Sequence, residues 1–417
     1  MLNSCFDYFY NLKFTKKNIA TVLGIFFLYG LASASNEYRV LFLQEQGLSA
    51  SECGYVLAAA GILMAITRPV SGAIADKLRS RKGLFITAVC AWMGIIILLL
   101  TLRSVRIAGF VVCAGIVPFL SACDSMTYGM IEADGVEMAL RVRRLDYSII
   151  RMFVSMSYCG INFLYTPIIN RFGVNAPYII TLAYLVIMLF VGRGLRFFGE
   201  SQTGSAEAKK KEKLQFGRLF KNYFLVCFVL LSFVMAVGGS SGSYLVYLVE
   251  TVGLDKSLIG ITTGIRVAGE IIIMPLVPLL KKKVSLPLMQ VIAACMTITQ
   301  MTLYLTCKNP VIIIGSTVFN GLAGGISLGT TAVYLRAMAP EGLVTTTLSL
   351  TSIMQSMGHI IMSMVGGYIV QYHGIFSLYR LCLSAMIVWL TLYFGTWAFG
   401  TLVLKKKPTI PLFKRAS

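Results

Sequence analysis

Long apolar stretches alternate with short basic loops along almost the whole chain, and this pattern constrains the fold more than any motif does. Of the 417 residues, 57% are hydrophobic and only 13% are charged, whereas soluble proteins carry about 25% charged residues. A helix needs about 20 apolar residues to cross a bilayer, and backbone polar groups inside lipid must be bonded within the segment. The pattern therefore predicts an all-α membrane protein with twelve transmembrane helices. We expect the spans near residues 18–43, 53–74, 84–102, 107–131, 148–170, 175–198, 219–249, 258–280, 285–306, 310–335, 344–370 and 375–403.

The distribution of basic residues predicts how the chain is oriented and what it contacts. Most of the 37 Lys and Arg residues fall in segments on the same side as the N-terminus, and such residues are enriched in cytoplasmic loops. We therefore expect a multi-pass protein of the cell membrane with both termini cytoplasmic, bound to membrane lipids. The basic residues are spread over many loops rather than gathered in one patch, so nucleic acid is not an expected partner. The ten cysteines lack metal-ligand spacing, so we expect no cofactor. We also expect the protein to be a monomer.

The chain divides into two halves that resemble each other. We predict an N-terminal six-helix bundle over residues 1–198, a charged cytoplasmic linker over 199–218, and a C-terminal six-helix bundle with a short basic tail over 219–417. The residues Gly47, Leu48, Ser51 and Gly54 recur at an offset of 206 as Gly253, Leu254, Ser257 and Gly260, and Gly173 recurs as Gly374. Since six spans separate the copies, both run in the same direction. This predicts two pseudo-symmetric bundles with a site between them, an arrangement typical of transporters.

Two glycine-rich segments predict details of helix packing. In the tenth span, Gly321, Gly325 and Gly329 repeat at four-residue spacing, which favours close contact with a neighbouring helix. In the seventh span, the run from Gly238 to Ser243 is expected to let the helix bend.

The loop between the second and third spans carries a motif that points to a family. It reads Gly72-Ala-Ile-Ala-Asp76-Lys77-Leu-Arg79-Ser-Arg81-Lys82. This resembles the signature G-x-x-x-D-[RK]-x-G-x-[RK]-[RK] of the major facilitator superfamily, with Arg79 in place of a glycine. The resemblance implies the major facilitator fold and alternating access. It also implies a cytoplasmic gate motif made of Gly72, Asp76, Lys77, Arg81 and Lys82. The alternative interpretation is that this basic loop only sets the topology.

The fifth and eighth spans resemble the sugar-binding helices of the lactose permease-like branch, which contains oligosaccharide and nucleoside:proton symporters. The fifth span carries Arg151-Met152-Phe153 with Tyr158 seven residues after the arginine, and the eighth span carries Gly269-Glu270. The resemblance implies that Arg151 and Glu270 bind the substrate and that the ring of Tyr158 stacks on it. The alternative for Arg151 is an arginine that reaches back to the lipid headgroups.

Further ionisable residues inside spans are candidates because charge there is costly, about 2.5–3.5 kcal/mol at the centre of the bilayer. The same branch has an acid about 18 residues before its arginine, a position that falls between Glu132 and Asp134. We favour Glu132 as a substrate-binding residue, with Asp124 deeper in the fourth span as an alternative. An ordinary acidic loop would explain Glu132 and Asp134 equally.

Proton coupling has several candidate residues. They are Glu270, His359, Asp124 and Arg266. His359 corresponds to Tyr158 in the repeat, which also makes it a substrate-binding candidate. The alternatives are a hydrogen-bond partner between helices for His359 and a structural pair within one helix for Arg266 and Glu270. The ninth span has no charge and the tenth has no histidine or acid, so the coupling residues of the lactose permease-like branch do not transfer intact.

These features predict a secondary active transporter that uses alternating access. Its solute would be a small polar molecule, a sugar or a nucleoside, moved by proton symport. The alternatives are a uniporter and a proton-coupled exporter of amphipathic compounds. An integral-membrane enzyme would need a polar cluster at one membrane face, which two histidines scarcely supply, so we predict that the protein is not an enzyme.

Overall fold

A computed structural model describes residues 16–78, 81–107, 110–141, 147–193, 216–340 and 343–412. Within these residues, a helix or a pair of helices corresponds to each predicted span. The helices of the first to sixth spans are Lys16–Ser33 with Arg39–Glu45, Ala50–Leu78, Arg81–Thr101, Val112–Arg141, Tyr147–Phe172 and Ala176–Arg193. Those of the seventh to twelfth spans are Tyr223–Gly239 with Leu245–Thr251, Ile259–Ile273 with Val277–Lys283, Leu286–Thr306, Pro310–Met338, Val344–His373 and Ile375–Ala398.

Most of these helices are long and apolar enough to cross a membrane. Among the described residues, nine pass this test outright, and the eighth span is a tenth if its two helices, which meet at 53°, count as one. Of the other two, Ala176–Gly192 is apolar but shorter, and the fourth span carries Asp124, Glu132, Asp134 and Glu137, which lower its hydropathy. The predicted all-α membrane fold is confirmed, and a count of twelve transmembrane helices is compatible with it.

The fourth span differs from its predicted bounds of 107–131. Arg106–Ile107 pairs antiparallel with Phe110–Val111 in a short hairpin, so the helix begins only at Val112. It then continues to Arg141, because the segment beyond residue 131 is polar but rich in good helix formers such as Glu, Ala, Met and Leu. Hydropathy marks where the apolar stretch ends, not where the helix ends. Glu132 therefore lies well inside the helix, not at its end as predicted.

The first and seventh spans are interrupted at equivalent positions of the repeat. The first changes from α-helix to 3-10 helix at Ala34–Tyr38, and the seventh does so at Ser240–Tyr244, 206 residues later. The break in the seventh span falls in the predicted glycine and serine segment, and the bend itself stays a prediction. Beyond the breaks, Gln44 Nε2 donates to Glu250 Oε2 at 2.8 Å, and these two residues are themselves separated by 206 positions.

The repeated loop glycines adopt the same backbone conformation in both halves. Positive φ angles of 87° and 77° occur at Gly47 and Gly253, and angles of 79° occur at both Gly173 and Gly374. Residues with a Cβ are strained in this region, so glycine is the residue suited to these turns. The shared conformation confirms the internal repeat that the sequence predicts.

By contact, the described helices form two compact units. One contains the first six spans except for Leu43–Ile62, and the other contains Leu43–Ile62 together with the last six spans. Inside the second unit, the backbone N–H of Ser51 donates to Gln371 Oε1 at 3.0 Å. The predicted division into residues 1–198, 199–218 and 219–417 stays a prediction, since most of the linker lies outside the described residues.

The glycines of the tenth span pack against the eighth span within the second unit. A Cβ on Gly321 would collide with the carbonyl oxygen of Arg266, and one on Gly329 would lie 2.8 Å from Val277 Cγ1. Gly325 likewise faces the backbone of Glu270, with its carbonyl oxygen 3.1 Å from the position of an added Cβ. The two helices approach closely because these positions lack side chains, which confirms the predicted packing role.

Gly321→Ala is expected to destabilise the protein, because the new methyl group would meet backbone instead of a flexible side chain. Overpacking of this kind costs about 1–3 kcal/mol. Gly315→Ala is a matched control in the same helix, since its added Cβ would meet no atom within 4 Å. We expect the apparent Tm in detergent to fall for Gly321→Ala and to hold or rise for Gly315→Ala, where alanine favours the helix. Equal Tm values would show that the glycine face does not limit helix packing.

Candidate functional site

An ion-pair cluster joins three helices of the first unit. Arg68 of the second span pairs with Glu132 of the fourth span, and Nη1 of Arg151, in the fifth span, lies 3.8 Å from Glu132 Oε1. The hydroxyl of Tyr147 donates to that same oxygen at 3.1 Å. The side chains of Arg68, Glu132 and Arg151 are 47%, 28% and 26% exposed. One accessible carboxylate thus meets two guanidinium groups and a phenol.

Tyr128 forms an aromatic surface under both guanidinium groups. The Cζ atoms of Arg68 and Arg151 lie 5.4 Å and 5.9 Å from the centroid of the Tyr128 ring. Cation–π contacts at such distances stabilise by about 0.5–2 kcal/mol, depending on desolvation. On the same ring, Tyr29 of the first span stacks with a centroid distance of 5.2 Å and an interplanar angle of 29°. Tyr29 in turn donates to Asp124 Oδ1 at 2.7 Å, so Asp124 is linked to the cluster through two stacked rings.

The local sequence explains why these side chains meet. Tyr128 and Glu132 are four residues apart, as are Tyr147 and Arg151, so each pair lies on one face of its helix. Arg68 reaches them by lying along the fourth span at Gly129, where an added Cβ would be 3.6 Å from Arg68 Cγ. The stem of the arginine therefore passes within van der Waals distance of this point on the fourth span.

A second polar group surrounds Tyr158. Its hydroxyl donates to Glu37 Oε1 at 2.5 Å, and Glu37 lies in the 3-10 segment of the first span. Asn162 donates to the carbonyl oxygen of Tyr158 at 2.8 Å and accepts from the hydroxyl of Tyr38 at 3.0 Å. Glu37 thus holds the ring of Tyr158 at its hydroxyl, and Asn162 and Tyr38 join the fifth span to the first beside it.

Arg151 and Tyr158 share one helix and lie two turns apart. Seven residues correspond to a rise of about 10.5 Å along an α-helix. The structure thus places these two predicted site residues on the same side of the fifth span. Each has different partners: Glu132 for the guanidinium and Glu37 for the phenol.

Among the candidates in the second unit, His359 contacts a neighbouring helix. His359 Nδ1 lies 2.8 Å from Ser240 Oγ, and Ser240 Oγ donates to the carbonyl oxygen of Ala236 at 2.6 Å. His359 therefore joins the eleventh span to the seventh, as in its alternative interpretation. Arg266 and Glu270 are partly exposed on the eighth span. Tyr158 and His359 belong to different units, so the predicted pairing of these two residues across the repeat stays a prediction.

The cytoplasmic gate motif is described only in part. Gly72, Asp76 and Lys77 lie in the helix of the second span, and Arg81 and Lys82 begin the third. The side chains of Asp76, Lys77 and Arg81, like Arg79 as a whole, lie outside the described residues. Their role as a gate stays a prediction.

The sequence analysis did not name seven members of these groups as site residues: Arg68, Tyr128, Tyr147, Glu37, Tyr29, Tyr38 and Asn162. The four-residue spacing of Tyr128 to Glu132 and of Tyr147 to Arg151 was a usable signal. Arg68 was recognisable as a charge within a span, but its partner lies 64 residues away, and nothing local in the sequence indicates that contact. Among the described residues, no group of three His, Cys, Asp or Glu residues is placed to hold a metal ion.

Comparison with known proteins identifies the family. Residues 20–381 match the model of the MFS_1 like family. The chain belongs to the MFS_1 like family. It is thus a multi-pass membrane transporter of the major facilitator superfamily, which confirms the class predicted from its motifs and the prediction that it is not an enzyme. A relative named Uncharacterized transporter YwbF, from Bacillus subtilis (strain 168), is 25% identical over 388 residues, which cover 91% of this chain and 94% of the relative.

Two solved structures resemble this MFS_1 like transporter in fold. A mutant of the nucleoside transporter NupG has a TM-score of 0.76 at 14% identity, over 92% of this chain and 100% of that one. A D-xylose-proton symporter has a TM-score of 0.67 at 17% identity, over 90% of this chain and 96% of that one. At these identities the likeness shows the fold alone.

Proposed function

We propose that this MFS_1 like transporter imports a small polar solute, a sugar or a nucleoside, by proton symport and alternating access. It would act as a monomer in the cell membrane, with both termini in the cytoplasm. The observation that carries the proposal is the fifth span, which holds the guanidinium of Arg151 and the fixed ring of Tyr158 two turns apart. The nucleoside and xylose-proton transporters with the same fold support this solute class.

The two side chains suit the two kinds of surface that such a solute offers. A guanidinium presents five donors in a rigid fork, which matches the oxygens of a polar solute. An aromatic ring offers a flat face for a sugar ring or a base. Glu37 orients the ring of Tyr158 through its hydroxyl, and Glu132 supplies an acceptor beside Arg151.

Proton coupling requires a carboxyl or imidazole group that can exchange a proton during the cycle. Asp124 in the first unit and Glu270 in the second are the carboxyl candidates, and His359 is the imidazole candidate. Asp124 is connected to the ion-pair cluster through Tyr29 and Tyr128, so a change in its charge would be felt near Arg151. Arg266, one turn before Glu270, would influence that carboxyl in the same way.

The purified protein in liposomes provides the test. We expect labelled sugars or nucleosides to accumulate above the external concentration when an inward proton gradient is imposed, and we expect an uncoupler to abolish accumulation. Equilibration without accumulation would instead indicate a uniporter. If neither class of solute enters the liposomes, the proposed function is wrong.

A further inference from the structure

Arg68 and Arg151 come from different helices, yet they converge on one carboxylate and on one aromatic ring. Both pair with Glu132, and both lie within 6 Å of the Tyr128 ring centroid. All three charged side chains are partly exposed. Charged groups within spans usually face a water-filled cavity or a protein interior because lipid does not solvate them. An arriving solute could therefore meet the cluster.

Two converging guanidinium groups form a recognised binding site for a carboxylate or a phosphate, because each fork can donate two parallel hydrogen bonds to the anion. The carboxylate of Glu132 already occupies that position. Tyr147 adds a hydroxyl donor to the same place, at 3.1 Å from Glu132 Oε1. The neighbouring acids have other contacts: Asp124 accepts from Tyr29, and Glu37 accepts from Tyr158.

We propose that Arg68 and Arg151 together bind an acidic group of the transported solute, and that Glu132 holds their place in the empty transporter. The solute is then a sugar or nucleoside that carries a carboxylate or a phosphate. Arg68 is the residue that sets this specificity, because one arginine suffices to hydrogen-bond neutral hydroxyls, whereas a second cation improves binding chiefly for an anion. The inference rests on the proposed function, since it concerns the solute of the same site.

Glu132 gives the inference a direct consequence. If this carboxylate competes with the solute for the two arginines, removing its charge should strengthen the binding of an acidic solute. If Glu132 instead accepts a hydrogen bond from a neutral sugar, the same change should weaken binding. The two roles thus predict effects of opposite sign for one substitution.

The test compares acidic probes with their neutral counterparts on the purified full-length protein. The pairs are glucuronate with glucose and uridine monophosphate with uridine, and thermal shift titration gives a Kd for each. We expect the acidic member of at least one pair to bind and its neutral member to bind more weakly by about tenfold, as for the loss of a charge-assisted hydrogen bond. Binding of glucuronate would identify a carboxylate as the acidic group, and binding of the nucleotide would identify a phosphate.

Three variants complete the design. Arg68→Gln should remove the preference for the acidic probe, Arg68→Lys should retain part of it, and Glu132→Gln should tighten acidic binding. Arg171→Gln, at the exposed end of the fifth span, is the matched control and should behave as wild type.

If neutral probes bind as well as acidic ones and Arg68→Gln changes neither, the inference is wrong while the proposed function stands. Weaker acidic binding in Glu132→Gln would also overturn the inference. Binding of none of the four probes would count against both.

Discussion

Glu270→Gln is expected to abolish accumulation of the solute against its gradient while the protein still folds and inserts. Among the described residues of the last six spans, Glu270 is the one acid located away from the end of a span. Its backbone packs closely against Gly321 and Gly325 of the tenth span. Glutamine keeps the size of the side chain but cannot carry or release a proton.

The measurement is uptake into proteoliposomes with and without a proton gradient, alongside exchange of labelled for unlabelled solute. We expect exchange to persist in Glu270→Gln, since exchange needs no net proton movement, and we expect gradient-driven uptake to vanish. Glu250→Gln is the matched control: Glu250 lies near the end of the seventh span and contacts Gln44 and Lys256. Unchanged accumulation in Glu270→Gln would exclude this residue as the coupling group.

Arg151→Lys is expected to weaken solute binding by about tenfold or more, although the charge is retained. A lysine ammonium cannot reproduce the planar fork of a guanidinium, and a lost hydrogen bond to a charged group costs about 1.5–3 kcal/mol. The Arg151→Lys substitution would also change the contacts of this side chain with Glu132 and with the face of the Tyr128 ring. Arg336→Lys, at the exposed end of the tenth span, tests whether the exchange of arginine for lysine has an effect in general.

Substitutions of Tyr158 on the same helix face distinguish its two contributions. Tyr158→Phe keeps the ring but loses the hydrogen bond to Glu37, so we expect a mild loss of affinity. Tyr158→Ala removes the stacking face as well and should cost more. Binding in detergent should be measured for all variants. Wild-type binding by Arg151→Lys, together with equal binding by the Phe and Ala variants, would show that this face does not hold the solute.

The fold was largely predictable because lipid leaves few options for a backbone. Uninterrupted apolar length identified the helices, and the paired glycines identified the repeat before their φ angles were known. The bounds of the fourth span were predicted wrongly because the apolar stretch and the helix do not begin and end at the same residues. The helix of the fourth span continues to Arg141 through a polar segment, and its first predicted residue belongs to the hairpin at Arg106–Ile107.

The candidate site was predictable only where its signal is local or shared with a family. The spacing of Glu132 and Arg151 suggested a pair, and the structure places them 3.8 Å apart. Arg68 and Glu37 were missed as site residues because their contacts span 64 and 121 residues. Helix rotation and tilt decide such contacts, and a single sequence specifies neither. The role of each residue in transport stays a prediction.

The matched turns at Gly47 and Gly253, and at Gly173 and Gly374, also bear on how this chain evolved. Left-handed glycines at two corresponding turns of each half are the pattern that duplication of a six-helix unit would leave. The backbone turns are alike in the two halves, whereas the charges within the described spans differ: arginines with several acids in the first half, and Glu270 with Arg266 and Arg380 in the second. Because the turns are shared and the charges are not, substitutions at the charged positions can change the chemistry of one copy without altering the backbone turns that both copies have in common.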